Sequence, residues 1–163
     1  MSSTEHRPTG DGPRIIPLRP ARDPAWFHAA VSRLAAAARE RVPAVSVSLD
    51  VAEAHAPEAD APAVAGPLGR LLEAACAAAA APAPRGESPT LREVVVTTID
   101  TGDALEIEVA DSAADASRQR AAVADLRPLV ERAGWGLSLA ACPDGGTAVT
   151  LRIPRRRGRS LAA

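Results

Sequence analysis

Val94-Val-Val-Thr-Thr-Ile-Asp-Thr-Gly-Asp-Ala-Leu-Glu-Ile-Glu-Val-Ala-Asp111 is two alternating stretches folded about a turn. Val94, Val96 and Thr98 repeat with period two up to Asp100-Thr-Gly-Asp103, and Leu105, Ile107 and Val109 resume the same period. Successive side chains of a strand point to opposite faces, so each half buries one face. The glycine-containing turn between them folds the pair into a hairpin.

The flanking segments supply helices and a second hairpin. Upstream, Asp23-Pro24 offers an N-cap and a first-turn proline, and Trp26, Ala30, Leu34 and Ala38 recur every four residues until Pro43. Val45, Val47, Leu49 and Val51 alternate with polar residues, which predicts a half-buried strand. Residues 52–65 read as a loop rich in Ala and Pro. Pro67 to Ala81 reads as the most apolar helix, halted by Pro82 and Pro84. Downstream, residues 116–133 predict a helix closed by Gly134. Leu137–Ala141 and Ala148–Ile153, joined through Pro-Asp-Gly-Gly-Thr, predict a second hairpin. The expected fold is α/β (α+β): a two-layer sandwich with a mixed, mostly antiparallel sheet of about five strands and three helices on one face. Residues 1–22 form a Pro-, Gly- and Arg-rich arm, 23–154 the domain, and 155–163 an Arg-rich tail.

Composition narrows the classes of function. Of 163 residues 47% are hydrophobic but 2% aromatic, so the core must be aliphatic. A net charge of −1 gives no global attraction to nucleic acid or an anionic membrane. No segment is apolar for the roughly 20 residues a membrane span needs, and the N-terminus lacks the build of a signal peptide, so a cytoplasmic location is expected. Cys76 and Cys142 lack ligand spacing and read as buried apolar residues. No metal site is indicated. Every basic side chain apart from the histidines is Arg, and neither Lys, Asn nor Tyr occurs.

Glu106-Ile-Glu-Val-Ala-Asp-Ser and Gly145-Gly-Thr-Ala-Val-Thr-Leu-Arg-Ile-Pro, in this element order, resemble the ATP-binding domain of histidine kinases. That superfamily includes gyrase, Hsp90 and MutL and shares the Bergerat-like fold. The resemblance covers roughly residues 42–154. It implies a helix Asn that holds magnesium, but the matching positions are Ala77, Ala78 or Ala81, and the chain has no Asn. A methyl group cannot coordinate a hard cation. The resemblance also implies an Asp-x-Gly-x-Gly box whose carboxylate accepts a hydrogen bond from the adenine amino group. Here the box reads Asp111-Ser-Ala-Ala-Asp115, which retains the Asp, adds a methyl at Ala113 and puts a carboxylate at Asp115. No glycine occurs between Gly102 and Gly134, and the next helix begins at about Ser117, which leaves no room for the phosphate-cradling lid that the resemblance implies.

The implied function is therefore a degenerate, non-catalytic binding or regulatory module in bacterial signalling, of the two-component kind, with a partner protein and no cofactor. An alternative is a divergent protein kinase resembling stand-alone anti-sigma serine kinases. It would use Mg-ATP, with the Glu73 carboxylate orienting the attacking water or hydroxyl and Asp111 at adenine. A third reading is an unrelated α/β ligand-binding domain. His28 lacks the acidic neighbour of a phosphoacceptor histidine and reads as a packing residue; His6 and His55 fall in loops. Gly136-Leu-Ser138-Leu-Ala140 approaches a nucleophile elbow, but a hairpin follows and every His precedes it. Arg152, Arg155, Arg156, Arg157 and Arg159 read as a solvated tail, and Trp26 and Trp135 as helix-to-sheet packing.

Overall fold

The computed structural model describes residues 25–57, 59–82, 91–143 and 145–155. The proposed N-terminal arm, the Asp23-Pro24 cap and most of the Arg-rich tail lie outside them. The element order is α1 (Ala25–Arg41), β1 (Ser46–Asp50), α2 (Ala61–Ala79), β2 (Glu93–Asp100), β3 (Ala104–Asp111), α3 (Ser117–Arg132), β4 (Gly136–Ala141) and β5 (Thr147–Pro154). The strands form one sheet in the order β1-β2-β3-β5-β4. Only β1 and β2 pair in parallel; the other neighbours are antiparallel.

The register aligns the alternating residues into a single apolar face. Val96 pairs with Val109, Val109 with Val149, and Val149 with Leu139, so one row of β-branched and Leu side chains crosses four strands. Leu105–Ile153 and Ile107–Leu151 continue the same face. These residues share one core with Phe27 and Val31 of α1, Leu68, Leu71 and Leu72 of α2, and Val123, Leu126 and Val130 of α3. All three helices therefore cover the same side, as the sequence predicts. Each fully buried Leu of α2 contributes about 1.5–3 kcal/mol by burial. The other side carries Glu106, Glu108, Thr150 and Arg152, which are only partly buried.

The loop expected over 52–65 is shorter, because α2 begins at Ala61, six residues before the predicted start at Pro67. Pro62 falls in the first turn, where its missing N–H removes no helical bond. The alanines around it favour helix. Pro67 itself lies inside α2 and is buried, so packing outweighs its lost hydrogen bond. Cys142 departs from expectation as well: Cys76 is buried, but Cys142 is only half-buried, in the β4–β5 turn. Its N–H donates to the Gly146 carbonyl.

Candidate functional site

Asp111 closes β3 and is the sole buried carboxylate among the described residues, 4% exposed. It faces the core because β3 buries alternate residues and Asp111 continues the row of Leu105, Ile107 and Val109. Across the ladder it pairs with Thr147, itself 2% exposed. Gly146 makes that approach possible. Its φ of +92° suits glycine, and a Cβ there would lie 1.9 Å from the Asp111 carbonyl oxygen.

Both carboxylate oxygens of Asp111 are occupied from within the chain. Oδ1 accepts the Ala113 N–H at 2.8 Å, and Oδ2 accepts the side-chain amide of Gln119, two residues into α3. Gln119 is 1% exposed, and its Oε1 is buried without a hydrogen-bond partner. Burial pushes the Asp111 carboxyl above its ordinary value, against the opposing pull of the Ala113 and Gln119 bonds. Cys76 of α2 is raised first by burial and then by the negative charge of Asp111, so α2, β3 and α3 meet around this group.

Next to it lies a pocket of about 120 Å³. One wall is the C-terminal end of α2, with Ala78, Ala79, Ala81 and Pro82. The other is the β3–α3 connection, Ser112 to Asp115, with Ser117 and Arg118 at the start of α3. Asp111 does not line it. Ligand pockets commonly span about 300–1,000 Å³, so this one suits a single small ring better than a nucleotide. The positions where magnesium would be held, Ala77, Ala78 and Ala81, carry no ligand atom, so the residues present do not fit that ion. Asp115 is exposed and held below its ordinary value, chiefly by the hydroxyl and N–H of Ser117. A charged carboxylate thus stands at the pocket wall.

The connection from Asp111 to Ser117 is short, and α3 begins where the sequence places it. Glu73 is not brought to this pocket. It is exposed, ion-pairs with Arg41 of α1, and borders a separate, mostly apolar groove of about 170 Å³ with Leu34, Leu72 and Cys76. Ser138 lies mid-strand in β4, paired with Thr150, rather than on a strand-to-helix turn. His28 is half-buried on α1. His55 has a partner that its spacing did not suggest: Nδ1 lies 2.9 Å from the Thr98 hydroxyl, which also accepts the Ala52 N–H. Arg152 is tied to Asp103 at 2.6 Å and to Glu106 at 3.2 Å, and Arg155 to Asp100, so the first arginines of the basic stretch are committed to acids. Trp26 and Trp135 are partly buried against the core, as expected. Among the described residues no group of three metal-binding side chains occurs, and no helix is long and apolar enough to cross a membrane.

With this geometry in place, the likeness to solved structures defines the fold. The chain superposes on the catalytic domain of the histidine kinase ThkA with a TM-score of 0.63 at 13% identity, over 78% of this chain and 92% of that one. It matches the ATP-binding domain of PrrB from Mycobacterium tuberculosis at 0.57 and 18% identity, over 80% and 95%. The mycobacterial sensor histidine kinase MprB gives 0.56 at 15%, over 78% and 95%. No protein-family model matches the sequence, and no curated protein matches it. The chain has the histidine kinase-like ATPase fold.

Proposed function

We propose that this chain is a non-catalytic module built on the histidine kinase-like fold, one that works by binding a partner protein in a bacterial signalling pathway in the cytoplasm. The observation that carries this reading is the state of Asp111: the carboxylate that the resemblance would set against adenine is buried and bonded to Gln119 and Ala113. The pocket beside it supports the same reading through its small volume and alanine wall, while the Asp115 carboxylate and the neighbouring Arg118 guanidinium on its lining offset one another. The signalling context rests on the histidine kinases whose structures it resembles. The kinase alternative needs Glu73 near the phosphates, and the Arg41–Glu73 pair away from the pocket does not support it.

Thermal unfolding with and without millimolar Mg-ATP tests the proposal. A ligand at 100 times its dissociation constant adds about 2.7 kcal/mol, equivalent to several degrees in Tm. No shift is expected. A reproducible stabilisation by Mg-ATP would overturn the non-catalytic reading and restore the kinase alternative.

A further inference from the structure

The two edges of the sheet are built differently. The strand order leaves β1 at one end and β4 at the other. At β1 the Ser46 N–H donates to the Arg92 carbonyl, so Ser46, Ser48 and Asp50 face β2, and Val47 and Leu49 turn their backbone groups outward. The outward Val47 carbonyl accepts the Arg39 guanidinium of α1, with Nε at 3.0 Å and Nη2 bonded to the same oxygen. Exposed Asp50 ends the strand after five residues. A cation on an edge carbonyl, a terminal charge and a short length all keep an edge from templating another strand.

The β4 edge carries no such device. Gly136-Leu-Ser-Leu-Ala-Ala141 has neither a charge nor a proline, and among the described residues it pairs with β5 alone. The Cys142 N–H donates to the Gly146 carbonyl in the same register, so Gly136, Ser138 and Ala140 bond to β5. Leu137, Leu139 and Ala141 therefore direct their N–H and C=O groups away from the sheet. The Leu137 and Leu139 side chains lie on the helix-covered face, opposite Leu151 and Val149. Both are only half-buried, whereas those partners are 0% and 2% exposed. Among the described residues, nothing continues the apolar row past this edge.

We propose that β4 is the docking edge for a second copy of this chain, pairing antiparallel with the same strand about a two-fold axis so that two five-stranded sheets run on as one. Such pairing brings outward-facing residues together, which restricts it to registers that set odd-numbered positions against odd-numbered positions. The register centred on Ser138 sets Leu137 of each copy against Leu139 of the other. It forms about four backbone hydrogen bonds and carries the apolar row across the junction. On the open face the two Ser138 side chains meet, a small uncharged contact. A strand that supplies its own complement in this way fits a second copy without any further partner. The inference does not rest on the non-catalytic reading, which concerns the Asp111 site.

The unaltered protein gives the first test. Its sedimenting mass is expected to rise from 16.7 kDa toward twice that value between about 1 μM and 1 mM. Over the same range hydrogen exchange of the Leu137 and Leu139 amides should slow about tenfold or more, while the Ser138 amide, bonded to β5, stays slow throughout. A parent that stays at 16.7 kDa overturns the proposal, whether those two amides are open, covered by residues of its own chain, or protected only when a different protein binds. A dimer in which both amides remain fast overturns it as well.

Ser138→Lys and Ser138→Glu test the register. Ser138 is exposed, so either variant is expected to keep the parent's circular dichroism. Each alone sets like charges directly opposite one another across the junction and should weaken dimerisation about fivefold or more. Mixing the two in equal amounts brings opposite charges together and should restore a heterodimer at the parent's affinity or better. A dimer that both variants form as readily as the parent lies elsewhere on the molecule. A mixture that associates no better than either variant alone rules out pairing centred on Ser138. Either result sinks the proposal, and the exchange measurement decides it should a variant fail to fold. Stabilisation by Mg-ATP would sink the non-catalytic reading and leave this one standing.

Discussion

At the scale of single residues, Asp111 makes a prediction whose sign follows from its burial. Its folded pKa is raised, so the folded state holds a proton at pH values where the unfolded chain has lost it. Stability should therefore fall as pH rises from the ordinary carboxylate range through the raised value, and level off above it. Asp111→Asn should remove that decline, measured by urea unfolding between about pH 4 and 7. It should do so at little cost, because an amide at 111 can still accept the Ala113 N–H while a turned Gln119 gives its unpartnered oxygen to the new N–H. Asp103 acts in the opposite sense: the Thr101 hydroxyl and Arg152 hold it low, so its contribution is lost as pH drops below the ordinary range. Gly146→Ala is the severe change, expected to cost roughly 3 kcal/mol or more in denaturant unfolding, since its Cβ would strike the Asp111 carbonyl at an unfavourable φ. The Asp was visible in the sequence by its place in a box. Gln119 was not, because nothing in a helical pattern marks which polar residue turns inward until the neighbouring strand supplies an acid.

At the scale of elements, the strands were the readily legible part. Period-two alternation in Val94–Asp111 and Ala148–Ile153 constrains register as well as identity, since a slip by one residue would turn the apolar face to water. The beginning of α2 was not legible, because Ala-rich sequence punctuated by Pro62 and Pro67 carries opposing signals whose balance tertiary packing decides. That helix invites a test. Gly66 is exposed in its interior, and a Cβ there meets nothing within 4 Å. Gly66→Ala should give less than the usual gain of about 0.5–1 kcal/mol, because the Pro67 ring disfavours helical backbone for a preceding residue that carries a Cβ, and Tm in a calorimetric scan should rise by under about 2 °C. A larger gain would mean that Gly66 is not held in helical backbone. His55 and Thr98 show the same limit from the loop side: their contact joins residues 43 apart in the chain, and no local spacing announces it.

At the scale of the whole molecule, the layers and strand count followed from element order, whereas the pairing of β3 with β5 is a topological choice that hairpins alone leave open. The chain order puts α3 and β4 between those two central strands, and Asp103 and Arg152, bonded across the ladder, are 49 residues apart. The first and second hairpins are each local, but the β3 and β5 edges are not hydrogen-bonded to one another until the hairpins meet, and the helices cover the face they then share. Closing that long loop is an entropic cost met before the core rewards it. Ile107→Val and Leu151→Ala should accordingly slow refolding in chevron measurements, while truncation of Val47, on the peripheral β1, should chiefly speed unfolding. The reverse distribution would place the nucleus at the parallel β1–β2 edge. The seam between β3 and β5 is thus expected to set the tempo of folding, with the buried Asp111–Thr147 pair as the rung at its far end.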